Sequence, residues 1–181
     1  MKLNFQLAFD FYLQHINRYD FFSLLEQHNL KRAGSIPSIA WELFGSILTG
    51  RKGSIGYGAD LEGVEIKSAV KGGSFEYQYH LNTGLLKLKE DQRVDHYFCS
   101  YDTAYQSFKV YYFSGEILAK EFFRSWIPLY QKNYQSGGKV RMPSAQRRQR
   151  FRKSIPFGFV SKNGVLVMEI KDGQMIFPRV T

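Results

Sequence analysis

Two kinds of side chain are scarce in this 181-residue chain, and each scarcity removes a class of chemistry. Cysteine occurs once, at Cys99, and histidine four times, with no zinc-finger spacing between them. A structural zinc site takes about four such ligands in close pairs, so none is expected. A single cysteine forms no internal disulfide. Inside the apolar run 94–101 it reads as a buried thiol in a reducing compartment.

Acidic residues are also few, 16 against 25 lysines and arginines, for a net charge of +9 and a pI near 9.6. That excess points to an anionic partner, nucleic acid ahead of an acidic membrane. No stretch approaches the roughly 18 apolar residues of a membrane span. The N-terminus lacks the cationic, apolar and small-residue sequence of a secretory signal. A cytoplasmic protein with no membrane association is therefore expected. Internal repeats are absent. What the chain does have is 44% hydrophobic and 17% aromatic residues, enough for one packed domain over 1–181 rather than disorder.

The N-terminal 3–28 carries Phe5, Phe9, Tyr12, Leu13, Ile16, Tyr19, Phe22 and Leu25 at three- and four-residue spacing. It predicts one or two amphipathic helices with a break near 17–20. They pack on the core or, as a second reading, form a dimer face. Ser35-Ile36-Pro37 signals a helix start with Ser35 as the capping hydroxyl. That helix runs through 39–48 to Gly50, buried along Ile39, Leu43 and Ile47 beside Ala40, Phe44 and Leu48. Glu42 lies off these rows, among Ser38, Gly45, Ser46 and Thr49. It is either a solvated surface acid or a third acid for a site.

Further on, 75–82 alternates aromatic and polar residues. It reads as a short strand or a loop carrying Tyr77, Tyr79, His80 and Asn82 toward a ligand. A short helix begins near 85–89. Strands are expected over 94–101 and 108–113, joined as a hairpin. Ser114 then starts a helix that ends at Pro128 or just before it. Two more strands, 155–160 and 165–170, lead through an Asp172-Gly173 turn into 175–177. Between these, Lys139, Arg141, Arg147, Arg148, Arg150, Arg152 and Lys153 crowd seven cations into 139–153 without an acid. Such a run repels itself and is expected to stay extended or mobile until it meets phosphates.

The stretch Gly58-Ala59-Asp60-Leu61-Glu62-Gly63-Val64-Glu65-Ile66-Lys67-Ser68 carries the most chemistry. Residues 64–70 read as a strand. Alternation then puts Glu65 and Lys67 on one side, with Val64 and Ile66 on the core side. Gly63 allows a turn that returns Asp60 to Glu65. Paired carboxylates suit a hard divalent cation such as Mg²⁺, and an adjacent ammonium can act on water or on an anionic oxygen. A second acid-x-Lys, Glu169-Ile170-Lys171, lacks an acid a few residues upstream and runs straight into a turn. It reads as structural.

Asp60, Glu65 and Lys67, with Glu42 on a preceding helix, resemble the PD-(D/E)XK nuclease signature. The segment from Gly58 to Ser68 is similar to the active-site hairpin of small, PvuII-like type II restriction endonucleases. It resembles MutH-like nicking enzymes second. Ala59 stands where the family usually has proline. The resemblance implies an α/β restriction-endonuclease-like core, a central mixed sheet flanked by helices, in a prokaryotic protein. It further implies Mg²⁺ held by Asp60, Glu65 and the Ile66 carbonyl, and a homodimer cutting double-stranded DNA to leave 5′-phosphates. DNA contacts would then fall to Tyr77, His80, Asn82, Lys139, Arg141, Arg147, Arg148, Arg150 and Arg152. The rivals are a strand-nicking or junction-resolving nuclease and a non-catalytic DNA-binding protein.

Overall fold

The strand expected around Glu65 runs Val64–Val70 (β1) and lies at the edge of a five-stranded sheet. The structure, a computed structural model, describes residues 2–54, 58–134 and 150–178. β1 pairs in parallel with Asp95–Tyr101 (β3), so the chain must cross over between them. The crossover consists of Phe75–His80 (β2) and the helix Gly84–Glu90 (α4). β3 then forms the expected hairpin with Phe108–Phe113 (β4). Val165–Lys171 (β6) pairs with β4, and Gln174–Phe177 (β7) closes the far edge. The sheet order is β1-β3-β4-β6-β7, mixed in direction, and the fold is α/β with helices on the sheet's two faces.

Both faces are covered, and this decides where polar groups are costly. Phe5–Phe11 (α1), which continues as a wide π turn over Tyr12–Ile16, lies on one face with Tyr19–Gln27 (α2) and Ser38–Thr49 (α3). There Tyr12, Trp41, Phe44 and Leu48 pack with Val64, Ile66, Tyr97 and Met168. The expected break falls at Asn17 and Arg18, between the π turn and α2.

On the other face, β2 pairs antiparallel with Arg150–Ile155 (β5) in a separate two-stranded ribbon. Phe75, Tyr77, Tyr79, Phe151 and Ile155 of this ribbon form a second core with Phe98, Phe123 and Trp126. Gly115–Leu118 (α5), a π turn at Ala119–Phe123, Arg124–Tyr134 (α6) and Phe157–Asn163 (α7) complete that layer.

Four local expectations change. Ser35 does not cap α3: Pro37 occupies the cap position, and the Ser35 hydroxyl is buried without a hydrogen-bond partner among the described residues. The buried row of α3 is Trp41, Phe44, Gly45, Leu48 and Thr49, while Ile39 and Leu43 are exposed. Aromatic area sets this rotation, because Trp41 stacks on Tyr101 at 4.9 Å and meets Phe108 edge-on at 5.3 Å. Pro128 lies inside α6, which is anchored on either side by buried Trp126 and Tyr130. The strand expected over 155–160 is instead the end of β5 and the start of α7. Pro156 there removes a ladder donor and presets the entry to the helix.

Candidate active site

Asp60 and Glu65 come together because Gly63, at φ +72°, folds the chain back just ahead of β1. Leu61 bridges to Val64 across this turn. Two hydrogen bonds then fix the acids. The Asp60 amide donates to Glu65 Oε2 at 3.1 Å, and the Ile66 amide donates to Asp60 Oδ2 at 3.0 Å. The Ile66 amide is free to do so because β1 is an edge strand. The N–H and C=O of one strand residue point to the same edge, so the Ile66 carbonyl faces this side too. The expected alternation holds. Val64 and Ile66 enter the helical core, and Glu65 and Lys67 project from the opposite face.

Lys67 Nζ lies 2.5 Å from Glu65 Oε1 and 4.0 Å from Asp60 Oδ2, and it sits over the Tyr77 ring at 5.0 Å. A second lysine, not anticipated in the sequence, reaches the same carboxylate. Lys87 of α4 lies 2.9 Å from both Glu65 oxygens, donates to the Gly58 carbonyl at 2.9 Å, and stands 3.4 Å from Asp91 Oδ1. Gly58 lies close to the same helix, and a Cβ there would meet the end of the Glu90 side chain, which would have to swing aside.

Asp91 is fully buried, and Tyr79 donates to its Oδ2 at 2.8 Å. Behind it, the buried His96 ring bonds the Asp91 carbonyl at 2.7 Å and the Tyr77 hydroxyl at 2.9 Å. Lys87 and Asp91 share a side of α4 through their four-residue spacing, which was the one available signal for them. Their arrival at Glu65 depends on the parallel crossover, which no local pattern encodes.

The electrostatics follow from this crowding. Burial, then the Glu65 charge, pushes the Asp60 carboxyl up to about 6 against the pull of Lys67 and Lys87. Burial would also raise Glu65, but the two ammonium groups overcome it and hold Glu65 below the usual carboxylate range. Burial disfavours charge on Lys67 and Lys87 as well, yet the neighbouring carboxylates keep both above the ordinary lysine value. Asp91 is pushed up to about 7 by burial and then by Glu65. Burial lowers His96 to about 4, so its ring is neutral near pH 7.

These groups open into a cavity of about 410 Å³ lined by Glu42, Asp60, Glu65, Lys67, Gln78 and Lys87 among others. Glu42 thus lines, from α3, the same cavity as the acid pair. The donors suit Mg²⁺ in kind, being carboxylates and a backbone carbonyl, all hard oxygens. Among the described residues no group of three or more His, Cys, Asp and Glu side chains is placed to hold a metal ion, and Mg²⁺ commonly takes only one or two carboxylates.

The candidate DNA contacts divide. Tyr77 is fully buried beneath the ribbon with its hydroxyl on His96, not on the surface. His80 and Asn82 are exposed. Arg150 and Arg152 sit in β5, directly opposite His80 and Gln78 of β2, so the basic run ends in a regular strand. Opposed residues share a face, which puts Glu76, Gln78, His80, Arg150 and Arg152 on the ribbon's polar side. Glu76 and Gln78 of that side also line the cavity. Lys139, Arg141, Arg147 and Arg148 lie outside the described residues.

Glu169 and Lys171 keep the structural role expected of them. Glu169 pairs with Lys109 across the strands at 3.0 Å, and Lys171 is exposed beside the β6–β7 turn. No helix among the described residues is long and apolar enough to cross a membrane. No protein-family model matches this chain, and a search of curated proteins finds no match for it.

Proposed function

We propose that the chain is a Mg²⁺-dependent DNA endonuclease built on a restriction-endonuclease-like core, and that it hydrolyses phosphodiester bonds at a short double-stranded site. The observation that carries this reading is the meeting of Asp60, Glu65 and Lys67 at a sheet edge beside an arginine-bearing ribbon.

Asp60, Glu65 and the Ile66 carbonyl hold the cation, and Glu42 supplies a further acid on the cavity wall. Bound Mg²⁺ supplies neutralisation at the scissile phosphate and makes nearby water more acidic. Lys67, aligned by Glu65, orients the attacking water and offsets charge that builds on the phosphate oxygens. Water adds to phosphorus as the bond to the 3′-oxygen breaks, leaving a 5′-phosphate and a 3′-hydroxyl. Arg150 and Arg152 contact phosphates or guanine edges, and His80 and Asn82 read bases. A homodimer, one site per strand, matches a palindromic target.

One observation favours a second reading. Two ammonium groups already neutralise Glu65, so the cluster also serves as a buried structural knot in a non-catalytic DNA-binding protein.

Plasmid cleavage separates the two. Wild type should cut with Mg²⁺ and stop with EDTA, while Asp60→Ala and Lys67→Ala should not cut. Cleavage by both variants at the wild-type rate overturns the site. DNA binding that ignores Mg²⁺ and strengthens in Asp60→Ala, with no cutting of any substrate, favours the second reading. Discrete fragments indicate a restriction enzyme, single-strand nicks a MutH-like enzyme, and cutting confined to branched DNA a junction resolvase.

A further inference from the structure

In the proposed metal site, the oxygens that should receive the cation are already taken. Glu65 accepts from Lys67 on one oxygen, from the Asp60 amide on the other, and from Lys87 on both. A divalent cation can reach this carboxylate only if an ammonium leaves it.

The two lysines differ in where they can go. Among the described residues, Lys67 pairs only with Glu65 and Asp60, both of them proposed ligands. Lys87 has a third acid within reach, because Asp91 Oδ1 stands 3.4 Å from its ammonium. Asp91 is held ready for that exchange. Its carboxylate is completely buried, Tyr79 fixes Oδ2 from behind, and Oδ1 faces Lys87. Lys87 and Asp91 are one helical turn apart, so the transfer needs side-chain rotation alone.

The charges agree. With all five groups ionised, Asp60, Glu65 and Asp91 against Lys67 and Lys87 leave one negative charge. A divalent ion reverses that balance around Glu65 and repels the nearer ammonium groups.

We propose that Lys87 is an internal counter-ion for this site: it holds Glu65 when no divalent cation is bound and moves to Asp91 when one binds. Lys87 is then a positioning residue. It keeps the acid pair folded together without metal, and Asp91 sets how readily it yields. The inference rests on the divalent-cation reading above.

The test is Mn²⁺ alone, titrated into the full chain and followed by the electron-spin resonance signal of the free ion. Lys87→Met should bind Mn²⁺ at least about tenfold more tightly than wild type, and Asp91→Asn about tenfold more weakly, the range seen for outer partners of metal ligands. In the Lys87→Met background, Asp91→Asn should have no further effect. Lys87→Gln replaces Lys87→Met if the latter fails to fold by circular dichroism. Equal or weaker Mn²⁺ binding in the lysine variants overturns the inference, as does an Asp91→Asn effect that persists without Lys87. If Asp60→Asn still abolishes binding in that case, the metal site itself stands. Absence of Mn²⁺ binding in every form removes both the inference and the reading it rests on.

Discussion

The amide of Asp60 donates to the carboxylate of Glu65, so the two acids are joined by a bond in which only one of them uses its charge. The Asp60 side chain meanwhile caps the Ile66 amide at the sheet edge. Structure and chemistry can therefore be separated at one residue. Asp60→Asn keeps an oxygen for the Ile66 amide, and Asp60→Ala does not. Both should abolish Mg²⁺-dependent cleavage. In urea denaturation only the alanine variant should lose about 1–3 kcal/mol, the usual cost of a stranded buried donor. Equal stability losses in the two variants would show that the cap contributes nothing.

The helix bearing Glu42 is held against the site strand by close contact. A Cβ on Gly45 of α3 would lie 2.3 Å from Cδ1 of Ile66, the residue between Glu65 and Lys67. Gly45→Ala should destabilise by about 1–3 kcal/mol through overpacking. Ile66→Val removes that Cδ1. The double variant should therefore lose less than the two single losses added together, by about 0.5 kcal/mol or more. Strict additivity would place the helix farther from β1.

The buried acid behind the site gives stability an acid-favoured component. Burial and the Glu65 charge raise Asp91 to about 7 in the folded protein, well above its unfolded value of about 4. The folded state then binds the proton more tightly. The contribution is fully present below the unfolded value and is lost as pH rises through 7. Asp91→Asn has no such group. The stability of wild type minus that of Asp91→Asn, from urea curves between pH 4.5 and 7.5, should fall as pH rises. A flat difference would mean that Asp91 is ionised throughout.

Charge on the ribbon is testable through salt. Arg150 and Arg152 are exposed on the side of β5 that faces away from its core. If each neutralises one phosphate, Arg150→Ala and Arg152→Ala should each lower the slope of log affinity against log salt by roughly 0.9. Double-stranded DNA without added Mg²⁺, so that the proposed cleavage does not run, is the suitable ligand. Weaker binding at an unchanged slope would assign the arginines to base edges instead.

How much of this was legible in the sequence depended on the range of the interaction. β3, β4 and the Asp172-Gly173 turn follow from local alternation and turn chemistry, and they lie where the pattern puts them. Asp60 beside Glu65 was also readable, because a glycine turn joins them within six residues. Lys87, Asp91 and His96 were not. They reach the site through a parallel crossover, and parallel pairing leaves no local signature. Tyr77 was misplaced for a related reason. Alternation showed that it shares a face with Tyr79, but only the second core layer determines which face is buried. The Ile39–Leu43 row of α3 failed because periodicity alone did not weigh it against the larger aromatic row of Trp41 and Phe44.

The ribbon has a consequence for synthesis of the chain. Every member of the acid–lysine cluster, from Glu42 to His96, has been translated before residue 100, whereas the strand that pairs with β2 begins at Arg150. A growing chain therefore holds its full set of acids while Phe75, Tyr77 and Tyr79 still lack their strand partners and β2 has no strand neighbour on either edge. An unpaired edge with that aromatic face is a template for joining other chains. Until β5 emerges, the nascent protein depends on something else to shield that edge, and a truncation before 150 makes the exposure permanent. Such fragments should collect as aggregates even though every proposed catalytic residue is present in them.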